Sequence, residues 1–145
     1  MQLNEILNKE FTVKESVDPR TLNKLQRENS IVFPSDLVFL YLNSDGLKLK
    51  PGYEISIDGT ETLVEISDIL DTEWIVKERK YDSEDDSASL YYKNFIKIAN
   101  TFSQDRVLIG ITVENWNQVY LYQHDDDALL KISDSLFSFL NKHLI

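Results

Sequence analysis

The sequence predicts an α+β fold, a single domain over residues 1–145 in which a mostly antiparallel sheet is packed with N-terminal, central and C-terminal helices. Three observations lead to that class. Helix-spaced apolar residues with start signals recur near the beginning, middle and end of the chain. Between them lie short apolar runs, alternating or continuous, that read as strands. The connections between those strands are of hairpin length, which favours antiparallel pairing. A chain of 145 residues that is 42% hydrophobic suits one domain with a real core, in the usual range of ~100–150 residues.

Leu3, Ile6, Leu7 and Phe11 have helical spacing and predict a short N-terminal helix. Asp18-Pro19 is a helix start, with Asp as cap and Pro in the first turn. That helix turns Leu22 and Leu25 inward and ends near Asn29. The stretch from Phe33 to Gly46, "FPSDLVFLYLNSDG", predicts a second helix entered through Pro34. Ser35 or Asp36 can cap or charge its first turn. The apolar run from Leu37 to Leu42 covers most of its circumference, so it should be largely buried. Asn43 to Gly46 ends it, with Gly46 free to take a left-handed conformation.

Leu47 and Leu49 alternate with lysines, and Ile55 and Ile57 alternate with polar residues. Asp58-Gly59 is a turn signal, and Thr62 to Ile66 resumes an extended pattern. Ser67-Asp68 begins a central helix with acids early and Lys77, Arg79 and Lys80 late, an order that complements the helix dipole. Its core-facing residues would be Ile69, Leu70, Trp74 and Ile75. Tyr81 to Ser89 reads as a polar loop. Phe95–Ala99, Arg106–Thr112 and Gln118–His124 read as strands, with Glu114-Asn115-Trp116-Asn117 as the turn between the last two. His124 to Ala128 makes another turn. Ile132, Leu136, Leu140 and Leu144 step by four and predict a C-terminal helix.

Charge and composition exclude several function classes. The net charge is −10, whereas nucleic-acid binding needs a basic footprint. The acidity is shared: residues 1–80 hold 15 acids and 10 bases, and residues 81–145 hold 10 and 5. Such a surface steers basic proteins towards it, or serves solubility alone. No apolar run is long enough to span a membrane, and the N-terminus lacks the basic-then-apolar pattern of a signal peptide. Cysteine is absent, which excludes disulfides and thiol chemistry and fits a reducing cytoplasm.

Catalytic signatures are missing: no GxSxG elbow, no HExxH and no Gly-rich phosphate loop. No catalytic, cofactor-binding or metal-binding residue is assigned, and no cofactor is expected. His124 precedes Asp125, Asp126 and Asp127, as a metal ligand or a carboxylate-held base could. A solvated hairpin turn explains the same residues. His143 near the C-terminus suits a helix C-terminal dipole. Asp82, Glu84 and Asp86 alternate as in a calcium loop, but an EF-hand also needs Gly and Glu where this chain has Ser87 and Lys93. That loop is either a solvated acidic segment or a dock for a basic partner. Trp116 either anchors an interface or folds back onto the sheet. Gly110, inside a strand, marks a bulge or close packing.

Several of these segments together resemble the SUKH superfamily, which includes the Smi/Knr fungal regulators of cell-wall glucan synthesis and many bacterial immunity proteins. Phe33-Pro34 stands for its Leu-Pro, Asp36-Leu37 for its Asp-Tyr, and Asn43 to Gly46 for its Asn-Gly. "FIKIA", "QVYLYQHD" and "ISDSLFSFLNKHL" are similar to later family segments in the same order, so the resemblance spans roughly residues 20–145. It implies a non-catalytic, cytoplasmic protein-binding domain, either an immunity protein that neutralises a cognate toxin or a regulatory or scaffold module. The expected partner is a basic protein, such as a nuclease toxin domain, and neither nucleic acid nor membrane. The candidate contacts are Asp82, Glu84, Asp85, Asp86, Glu114, Trp116, Asp125, Asp126 and Asp127.

Overall fold

The computed structural model describes residues 3–7, 11–49, 55–57, 64–66, 68–84, 93–101, 105–123 and 128–141. Among them the order is α1 (Leu3–Ile6), β1 (Phe11–Val13), α2 (Pro19–Glu28), α3 (Ser35–Asn43), β2 (Leu47–Leu49), β3 (Ile55–Ile57), β4 (Val64–Ile66), β5 (Asp68–Ile69), α4 (Thr72–Glu84), β6 (Phe95–Asn100), β7 (Arg106–Gly110), β8 (Val119–Gln123), β9 (Ala128–Ser133) and α5 (Leu136–Leu140). The α+β class holds. Every strand pair in the three sheets is antiparallel. The sheets run β1-β2-β5, β3-β4 and β6-β7-β8-β9.

The four-stranded sheet is the main platform. Ile96, Ile98, Val107, Ile109, Val119 and Leu121 send their side chains into the central cluster, which also takes residues from α1 through α5. Its other face holds Phe95 and Leu108, with Tyr120 and Tyr122 packed beside them. β6 is an edge strand, and unpaired strand edges invite pairing with other chains. Here the edge is covered. Leu70 N donates to Ile98 O (2.8 Å), which joins the small sheet to the large one. α4 is held on β6 by Lys97–Glu78 (3.2 Å) and by Arg79 Nη1 donating to Phe95 O (3.1 Å).

The helix α2 follows its sequence signals. Asp18 Oδ1 accepts from Arg20 N (2.8 Å), Pro19 occupies the first turn, and Asn29 closes the end. Leu22 is fully buried. α3 buries Leu37, Leu40 and Tyr41 completely, while Val38 and Phe39 are half-buried. Burial of each large side chain is worth about 1.5–3 kcal/mol.

Four expectations are corrected. The N-terminal helix is one turn only, and Phe11 starts β1, because Phe11 pairs with Leu49. Residues Asp68–Ile69 are a strand rather than a helix start, because they pair with Lys48 and Leu47 of β2. α4 therefore begins at Thr72 and continues through Tyr81–Glu84, where a loop was expected. Ile132 lies in β9, not in a helix. Its fourfold spacing to Leu136 coincides with a strand that pairs with β8, so α5 is only Leu136–Leu140. Leu144 and His143 lie outside the described residues.

Side-chain placement differs in three further details. Trp74 is 52% exposed, with Lys77 Nζ 5.2 Å from its ring. On α3, Leu42 faces outward, and neither Ser35 nor Asp36 caps the helix, although Asp36 does charge its first turn as expected. Asp36 Oδ2 instead accepts from Phe137 N (3.2 Å), which ties α3 to α5. Gly46 does have a left-handed φ of +90°. The helix ends within Asn43 to Gly46 as expected, with Ser44 as its cap in extended conformation.

Candidate protein-binding surface

The turn between β7 and β8, Ile111 to Gln118, brings together two members of the candidate contact set whose side chains are described. Glu114 and Trp116 are both exposed there. Asp82 and Glu84 end α4, with side chains outside the described residues. Asp85, Asp86, Asp125, Asp126 and Asp127 lie outside them entirely, as do His124 and the Asp58-Gly59 turn.

The turn is built around Asn115. Its side-chain oxygen accepts from Thr112 N (2.8 Å) and Thr112 Oγ1 (2.7 Å). Its amide donates to Asn94 O (3.2 Å), on the segment leading into β6. Ile111 N also donates to Asn94 O (3.0 Å), and Gly110 N donates to Gln118 O (2.8 Å). A buried asparagine with its polar atoms satisfied fixes a loop in one conformation. Gly110 is required by close approach. A Cβ there would overlap the Asn115 carbonyl oxygen and come within 2.5 Å of the Asn115 side chain, which confirms the close-packing reading of this glycine.

Two further features show that the turn is held against local cost. Asn117 takes a left-handed φ of 66°, uncommon for a residue with a Cβ. Its side-chain oxygen is buried with no hydrogen-bond donor among the described residues. Such costs persist only where the surroundings over-determine the conformation.

This rigid frame displays Val113, which is 95% exposed, beside Glu114 and Trp116, which is 39% exposed. Trp116 makes one bridge with Gly110, so it is anchored by its backbone while much of the ring stays accessible. Sequence reasoning missed Val113. The only signal for it was a β-branched apolar residue inside a polar turn.

No group of acids and histidines that could hold a metal occurs among the described residues. No described helix is long and apolar enough to cross a membrane. Among the described residues the strongly shifted buried group is Tyr41. Burial pushes its phenol well above its ordinary value of 10, and the charges of Asp45 and Asp71 add to that. Its OH donates to Leu70 O (2.8 Å), a structural bond in the core rather than a reactive group in a cleft.

A family model described as SMI1 / KNR4 family (SUKH-1) matches residues 16–142. The chain belongs to this family. Comparison with curated proteins gave no match. SUKH-1 membership fits immunity or regulatory roles. SUKH proteins act through protein interaction and are generally binding proteins without catalysis. The matched range runs from just before α2 to just after α5.

Proposed function

We propose that this chain is a cytoplasmic immunity protein, folded as one domain, that neutralises a cognate bacterial toxin by binding it directly and without catalysis. The observation that carries the reading is the Val113–Trp116 display. It is an apolar and acidic tip on a frame that is rigid before any partner arrives. Preordered exposed aromatic and apolar groups reduce the ordering cost of association and form the usual energetic centre of an interface. The net charge of −10 supports a basic partner, such as a nuclease domain whose substrate groove is positive. Glu114 and the acids at 82–86 and 125–127 are its proposed contacts. The absence of cysteine supports a reducing compartment.

The test is co-expression with the toxin encoded beside it. Expected are protection of the cell, a salt-sensitive complex, and loss of most affinity in the Val113→Ala/Trp116→Ala double variant. Failure to protect against, or to bind, any neighbouring gene product would remove the reading. Capture of a cell-wall or signalling protein instead would assign a regulatory or scaffold role, the alternative that the family also fits.

A further inference from the structure

A second feature lies on α2, in a surface of the opposite charge. An open groove of about 830 Å³ runs along this helix and the turn after it, within the size range of ligand-binding clefts. Arg20, Asn23 and Arg27 line it from the helix, and Ser30, Ile31 and Val32 line it from the turn. Positions 20, 23 and 27 step by three and four, so they share one helix face. Arg20 and Arg27 stand about 10 Å apart along the axis.

Neither guanidinium makes an ion pair among the described residues, whereas Lys24 between them is paired with Glu28 (3.8 Å). Arg20 also occupies the first turn, where the positive end of the helix dipole disfavours a cation. A local rule broken on a surface helix points to a functional demand. The turn wall is fixed. Ser30 holds a left-handed φ of 53°, and Gln26 Oε1 accepts from Phe33 N (2.7 Å). Val32 is thereby left 66% exposed at the groove's edge.

We propose that this groove binds a short acidic peptide segment of a partner protein. Two carboxylates about 10 Å apart meet the two arginines, whose planar forks match carboxylate geometry. An apolar side chain between them rests on Val32, and Asn23 can bond the peptide backbone. The charge complementarity is local. At this groove a polyphosphate or nucleic acid would meet two arginines, with the chain's net charge of −10 around them, and it has nothing to set on Val32.

The test is fluorescence anisotropy of the full chain with a labelled peptide holding two glutamates that flank a leucine. Expected is saturable, salt-sensitive binding, weakened roughly five-fold by Arg20→Gln and by Arg27→Gln. The lysine variants should retain part of it, and a glutamine-for-glutamate peptide should not bind. Both arginines are exposed, so melting temperatures should not change. The Val113→Ala/Trp116→Ala variant should bind the peptide normally, which separates this site from the proposed toxin contact. No saturation at millimolar peptide would overturn the proposal, as would equal binding by the glutamine variants of the chain. Displacement by tripolyphosphate or single-stranded DNA at affinity equal to the peptide's would overturn it in favour of a phosphate site.

Discussion

Two turns in this molecule are built with the same chemistry and put to opposite uses. One is Ser44-Asp45-Gly46, after α3. The other is Thr112 to Asn117, between β7 and β8. Each holds a polar side chain that is almost fully buried, and each lies beside a glycine that has no room for a Cβ. The first turn faces inward and ties elements together. Ser44 Oγ accepts from Lys14 N (2.8 Å) and donates to Gly46 O (2.6 Å). Asp45 N donates to Glu15 O (2.9 Å). The Asp45 carboxylate accepts from Thr72 N (2.8 Å) and Thr72 Oγ1 (3.2 Å), satisfying the start of α4 from 27 residues away. The second turn is held by Asn115, which bonds to Thr112 within it and to Asn94 beside it, and leaves Val113, Glu114 and Trp116 outside. Rigidity in the first is structural. In the second it presents a surface, as expected where a loop carries function on a fixed scaffold.

The contrast can be broken most strongly at the glycines. Gly110→Ala forces a methyl into the Asn115 backbone and should cost about 3 kcal/mol or more. That is a fall of roughly 6–12 °C in melting temperature for a chain of this size, measured by calorimetry. An unchanged melting temperature would mean that the turn is not held by this contact. Gly46→Ala combines positive φ with a methyl 2.8 Å from Ile69 O. It should cost about 2–3 kcal/mol. Because the hub turn presents nothing, binding of a protein partner per folded molecule should survive Gly46→Ala and fail in Gly110→Ala.

Tyr41→Phe tests the hub more gently. It leaves Leu70 O without its side-chain donor, at a cost of about 1 kcal/mol. It also changes the pH response. The folded-state value of Tyr41 is raised above 10, so the stability linked to its neutral phenol is fully present below about pH 10 and lost as pH rises through the folded value. Denaturant melts from pH 8 to 11 should show a steeper alkaline fall in the wild type than in Tyr41→Phe. Parallel curves would argue against this role.

The smallest stability effect belongs to the display itself. Val113→Ala and Trp116→Ala should each move stability by less than about 0.5 kcal/mol. Both should nevertheless lower partner affinity, Trp116→Ala the more. A large drop in melting temperature for either would make the tip part of the core.

Local chemistry explains which parts were legible. Asp18-Pro19 set α2 because a cap and a preset φ act within one turn of the chain. The strands β6, β7 and β8 followed from continuous apolar runs. Glu114 and Trp116 were recognisable because a turn between two such runs must be exposed. The acidic members of the candidate set have the same composition as solvent-facing residues, so composition could not separate contact from solubility.

The sequence alone determined the α+β class, most elements and the SUKH likeness, because periodicity, caps and turn residues act over a few positions. Only the tertiary structure decided that Asp68–Ile69 is a strand, since its partner β2 is remote in sequence, and that Ile132 belongs to β9, since its helix-like spacing to Leu136 is overridden by pairing of that strand with the neighbouring β8. It also decided that Asp45 caps a helix 27 residues away, that Val113 is the exposed tip, and that two arginines of an acidic chain share an open groove. Each of these depends on which groups meet in three dimensions, and a linear pattern does not carry that.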